Sequence, residues 1–122
     1  VGISWKGGSK RETIHSRSTS LEQWKQVFDV PNIQLINLQY GDVRDELNDC
    51  QQQLGVTIHA WDGEDHFNNL DGLASIIAAL DLVVSIDNST VHLAGALGVP
   101  TWNLLSFAAD FRWTLGTARI PW

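Results

Sequence analysis

Along the chain, short apolar runs alternate with longer polar stretches in which apolar residues recur at helical spacing. Residues 1–5 read as a short buried strand, followed by a polar loop through Thr19. Ser20 with Gln23 three positions later is a capping-box pattern, and Leu21, Trp24, Val27 and Phe28 fall near one helical face. Pro31 and Asn32 end that helix, and residues 33–38 suit a second strand. Asp42 is placed to cap a helix running to about Leu54, with Val43, Leu47, Cys50 and Leu54 at helical spacing and Gly55 as its stop. Residues 56–59 form a short third strand, 61–69 are polar and irregular, and 70–80 predict a helix with Leu73, Ile76, Ile77 and Leu80 as its stripe. The fourth strand covers 82–86, a small-residue helix 90–97, and the fifth strand 101–105. Beyond that, Phe111, Arg112, Trp113 and Trp122 show no clear period.

Strands alternating with helices predict an α/β fold: a Rossmann-like open parallel sheet of about five strands with helices on both faces and right-handed crossovers. Ligands in such sheets sit beyond the carboxyl ends of the strands, at the topological switch point. With strand order 3-2-1-4-5, the loop after the first strand and the turn after the fourth converge there.

Both segments carry suitable chemistry. The turn Asp87-Asn88-Ser89-Thr90 opens a helix, presenting hydroxyls and backbone N–H groups suited to an anion. Lys6, Lys10, Arg11 and Arg17, four of the eight cations, fall in the first 17 residues beside Gly7 and Gly8. This is either a solvated basic loop or one offered to a small anion, where glycine permits close backbone approach to phosphate. Asp87 serves as a helix cap, a ligand-orienting carboxylate, or both. His92 is either a hydrogen-bonded core histidine or a ligand contact. Gln39, at a strand's carboxyl end, either reaches a ribose or base or stabilises its turn. Ala94, Gly95 and Ala96 read as small residues that let the helix approach the sheet. Trp24 belongs to a core stripe, Trp61 to a base-stacking or interdomain contact, and Trp113 and Trp122 to a surface facing another domain.

Composition narrows the class. At 122 residues with 43% apolar content, the chain reads as one globular domain, residues 1–122. A net charge of −6 argues against a nucleic-acid-coating protein. No apolar run approaches the roughly 20 residues that span a bilayer, and Cys50, the single cysteine, favours a reducing, cytoplasmic location. His15, His59, His66 and His92 are scattered, and the acidic stretch Asp62, Glu64, Asp65 and His66 reads as a solvated loop, so no metal site is expected. The chain starts at a strand, lacks methionine and stops at Ile-Pro-Trp, as a piece of a longer protein would.

The stretch from Asp87 to Gly98, followed by Val99-Pro100-Thr101, resembles the Asp-Thr-Gly-x-x-His-x-Ala-x-Ala-Leu-Gly-x-Pro-Thr stretch of the heptosyltransferases, a family of GT-B glycosyltransferases. Its fuller form, with the segment from Gly2 to Gly8, Arg17-Ser18 before Leu21, and Leu38-Gln39-Tyr40-Gly41, is similar to the tetratricopeptide-repeat-linked glycosyltransferase-like proteins along nearly the whole chain. The resemblance implies the C-terminal, donor-binding half of a GT-B fold, with a nucleoside-diphosphate sugar as donor, neither metal nor other cofactor, and a general base supplied by an N-terminal domain. By position, it implies Lys6, Gly7 and Gly8 near the donor diphosphate, Ser89 and Thr90 binding it from the helix N-terminus, and His92 one turn inside. Asn88 and Ser89 depart from the Thr and Gly of heptosyltransferases, so donor identity does not transfer. The alternative is a non-catalytic Rossmann-like module that recognises a nucleotide or a partner within a larger repeat protein.

Overall fold

The sheet is built from the inside outwards in chain order. In the computed structural model, β1 (Gly2–Ser4) lies at the centre, flanked by β2 (Leu35–Asn37) and β4 (Val83–Ile86), with β3 (Ile58–His59) and β5 (Thr101–Leu104) at the edges. All neighbours are parallel and the order is 3-2-1-4-5. The residues described are 1–7, 17–61, 66, 68–107, 109–113 and 119. Gly8, Lys10, Arg11, His15, Asp62, Glu64, Asp65 and Trp122 lie outside them.

Side-chain alternation along the strands sorts the apolar residues onto two faces. One face joins Ile3, Leu35, Ile58, Val84 and Ile86 to Leu21, Trp24, Val43 and Cys50. These come from a 3₁₀ turn (Leu21–Trp24) that runs into α1 (Lys25–Phe28), and from α2 (Arg44–Leu54) with its preceding residue. The other face joins Leu38 and Val83 to Leu73 and Ile77 of α3 (Leu70–Ala78) and Ala94 of α4 (Ser89–Ala96). Helices therefore cover both faces, as the alternation of patterns predicts.

Several local expectations are refined. Gln23 Oε1 accepts the Ser20 N–H at 2.9 Å, one arm of the capping box, but the helix begins as a 3₁₀ turn and holds only four α-helical residues. Asp42 stands one residue outside the α2 cap position and takes the Arg44 N–H at 3.3 Å instead. Gly55, at φ 67°, ends α2 in the left-handed conformation that glycine adopts without a Cβ clash. Of the small residues in α4, only Ala94 is fully buried; a Cβ added at Gly95 would meet nothing within 4 Å, so that glycine is not needed for sheet contact. Trp113 is buried rather than held out for another domain. At the β5 edge, Trp102 is 63% exposed, and Leu104 and Phe107 are also open.

Candidate functional site

The carboxyl ends of β1, β2 and β4 are tied together by amide side chains. Gln39 Oε1 accepts the Trp5 and Lys6 N–H groups at 3.0 and 2.8 Å and the Ser4 hydroxyl at 3.0 Å. Asn88 Nδ2 donates to Ser4 Oγ at 2.7 Å and to the Lys6 carbonyl at 3.3 Å. Asn88 Oδ1 caps α4 by accepting the Thr90 N–H at 3.0 Å, with Ser85 Oγ 3.1 Å away. A cap of this kind contributes about 1 kcal/mol. The cap of α4 is thus Asn88, which leaves the Asp87 carboxylate free of that task.

Asp87 instead faces Arg17, whose guanidinium lies 3.7 Å from its carboxylate. Arg112, in a 3₁₀ turn (Phe111–Trp113), joins them electrostatically while bonding Asp110 at 2.9 and 3.2 Å. Hydrogen bonding to Arg112 lowers the Asp110 carboxyl, with Arg17 adding to the effect, and the same bonds raise Arg112 further. The result is an alternating set of two guanidiniums and two carboxylates. Arg17 and Asp87 hold each other only loosely, because 3.7 Å is too long for a hydrogen bond.

Three of them, Arg17, Asp87 and Arg112, border a cleft of about 520 Å³ at the switch point, between β1 and β4. Its charged and polar lining comes from Arg17, Asp87, Asn88, Ser89, His92 and Arg112; Tyr40, His66, Leu70, Leu73 and Leu93 complete it. His92 stacks on Trp113, ring centroids 4.9 Å apart and planes 24° from parallel, which holds the imidazole in place at the cleft wall. The volume falls in the range of small-ligand sites.

Five of the residues singled out from the sequence (Arg17, Asp87, Asn88, Ser89 and His92) therefore meet in one cleft. The other described ones lie apart from its lining. Lys6 pairs with Glu46 of α2, whose second oxygen takes the Trp5 indole N–H at 2.9 Å. Gly7 is buried where its loop crosses the β4–α4 turn; a Cβ there would lie 3.1 Å from Ile86 Cδ1 and 3.4 Å from the Asp87 carbonyl. Gln39 is buried and committed to the Trp5 and Lys6 N–H groups and the Ser4 hydroxyl, the turn-stabilising alternative. Thr90 is buried, and its hydroxyl makes no hydrogen bond among the described residues. Trp61 is exposed on a different groove, formed with Val1, Gln34 and Asp81.

Three lining residues carried no usable signal in the sequence. Arg112 falls in an aperiodic segment, Tyr40 reads as part of a turn, and His66 sits in a polar stretch that looks solvated. His66 is in fact only 8% exposed. Among the described residues no group of three or more His, Cys, Asp or Glu side chains is arranged to hold a metal ion. No described helix is long and apolar enough to cross a membrane.

Compared with known proteins, the chain is 36% identical over 123 aligned positions to protein FlbA of Caulobacter vibrioides. The match takes in the whole of this chain and 20% of FlbA, so the chain spans about a fifth of the length of that curated relative. No protein-family profile matches the chain, and no solved structure matches it.

Proposed function

We propose that this chain is the donor-binding domain of a GT-B-type glycosyltransferase, holding a nucleoside-diphosphate sugar in the switch-point cleft. One observation carries the reading: Arg17, Arg112 and the N-terminal turn of α4 converge on a single cleft beyond the strand ends. Anions are favoured at helix N-termini by aligned N–H groups and the helix dipole, and guanidiniums add planar, charge-assisted donors. Departure of a nucleoside diphosphate builds negative charge on that leaving group, and donors held in advance of the reaction stabilise it most effectively. The Gln39–Ser4–Asn88 chain holds the α4 turn in this way, because the turn carrying Ser89 hangs from Asn88.

In this reading Asp87 and Asp110 keep the two guanidiniums oriented before a ligand arrives. A diphosphate then replaces Asp87 as the partner of Arg17, and the nearly buried Asp87 carboxylate is left to the charge of Arg112. Ser89 contributes its hydroxyl from the first turn of α4. Sugar transfer itself, its acceptor and its general base belong to the proposed whole enzyme.

The test is calorimetric titration of the protein with UDP, ADP, GDP and inorganic diphosphate, alongside Arg17→Ala and Arg112→Ala. Saturable binding of one nucleoside diphosphate, weakened about tenfold or more in each variant, is the expected result, in keeping with the loss of a charged hydrogen bond. A folded protein that binds none of them removes the reading.

A further inference from the structure

His66 belongs to the same cleft but to none of the chemistry assigned so far. It is 8% exposed, it lines the cleft, and its Nδ1 makes no hydrogen bond among the described residues. A buried polar nitrogen without a partner is costly, and native proteins rarely leave one unless a ligand or water completes it.

Its surroundings say what kind of group that is. The anion-binding features lie on the β1–α1 loop, the β4–α4 turn and the Arg112 turn. His66 enters from the β3–α3 loop and shares the cleft lining with Leu70 and Leu73 of α3, Leu93 of α4 and Tyr40 beyond β2. Leu70 is 59% exposed, an apolar side chain standing open at a cleft. Phosphate fits poorly against leucines, because its oxygens need several donors. A sugar carries hydroxyls around its rim and would strand some of them against the same apolar wall. A flat heteroaromatic ring differs: two apolar faces cover the leucines, and the heteroatoms at its edge need one or two polar partners.

We propose that His66 is a specificity residue for the nucleobase of the donor, with its Nδ1 hydrogen-bonded to the edge of the heteroaromatic ring. The inference rests on the donor-site reading above and extends it from the diphosphate to the base. The two ends of the ligand are then recognised independently: charge at Arg17 and Arg112, and a single edge contact among apolar residues at His66.

The experiment compares wild type, His66→Ala, His66→Asn and Arg17→Ala in titrations with UDP, ADP, GDP and inorganic diphosphate. His66→Ala is expected to lower affinity for the preferred nucleoside diphosphate about tenfold and to leave inorganic diphosphate unchanged. His66→Asn, whose amide again offers hydrogen-bonding atoms, is expected to recover part of the loss. In wild type, the ¹⁵N resonance of His66 Nδ1 is expected to shift with the nucleoside diphosphate and to stay in place with inorganic diphosphate. This second readout decides the matter if the alanine variant fails to fold. Equal losses for both ligands, or no ¹⁵N shift with the nucleotide, overturn the proposal. Weakening by Arg17→Ala without weakening by His66→Ala overturns it while leaving the donor-site reading intact. Absence of nucleotide binding by wild type overturns both.

Discussion

Asn88 shows how much one amide can do at a strand end. Its oxygen caps α4 and its nitrogen reaches Ser4 and the Lys6 carbonyl, so one residue orients the helix and anchors the first loop. The sequence points to Asp87 as a cap of α4, but the cap is Asn88, one place on and of a residue type that favours the position as strongly. What decides between them is the buried hydroxyl of Ser4, 84 positions away, which needs a donor that a carboxylate lacks. Gln39 is ambiguous in the sequence for the same reason, since its partners, two backbone N–H groups and the Ser4 hydroxyl, take positions that depend on the whole sheet. Exposed charges behave more locally. Hydrogen bonds from Arg44 hold the Asp42 carboxyl at about 2, below the ordinary value. A depressed folded-state value means that the pair stabilises the protein above the unfolded carboxyl value near ~4, and that this contribution is lost as pH falls through the lower one. Carboxyl ¹³C titration should place the Asp42 midpoint at about 2, and the urea midpoint of Asp42→Asn should fall less steeply with acidification in that window. An ordinary Asp42 titration would show that the pair does not persist in solution. The effect on stability will be small, because the pair is exposed.

Among the elements, those whose pattern is set by burial were the most legible. The fourth strand, α2 and α3 follow directly from apolar spacing, and all five strands occur in the expected places. Their ends were less legible, because capping and the first hydrogen-bonded turn depend on distant partners as well as neighbours. The β3 ladder is confined to Ile58–His59, shorter than the apolar run that predicts it. α4 gives the clearest test of a packing argument. Its sequence suggests that Ala94, Gly95 and Ala96 all serve close approach, yet the structure puts only Ala94 against the sheet. Gly95 lies within the helix with open space where a Cβ would stand. Gly95→Ala should therefore stabilise the protein by about 1 kcal/mol, the helix-propensity difference, as read from urea or thermal unfolding. A destabilised variant would mean that something else approaches this position.

Taken as a whole, the domain distributes its tryptophans unevenly. Trp5, Trp24 and Trp113 are buried, while Trp102 and Trp61 (53% exposed) stand open, on β5 and at the mouth of the second groove. Acrylamide quenching should be heterogeneous, with Trp102→Phe removing part of the accessible component and Trp24→Phe leaving that component unchanged. Uniform protection in a monomeric sample would mean that the β5 face is covered in solution. The switch-point cleft follows from a topology that alternation alone suggested, but its lining draws on a histidine and an arginine from segments without periodicity, and these only the fold brings in. The order of the strands also has a consequence in time. β1 is made before the other four strands of the sheet and becomes its centre, yet its second neighbour, β4, begins only at Val83. Closing contacts of that separation is slow, because chain entropy is lost before any pairing compensates for it. The bond from Asn88 to Ser4 cannot form until the chain has emerged past the fourth strand, so the cleft forms only after four of the five strands have been made. A ligand that fits it would bind only chains that have finished folding, and would stabilise those alone.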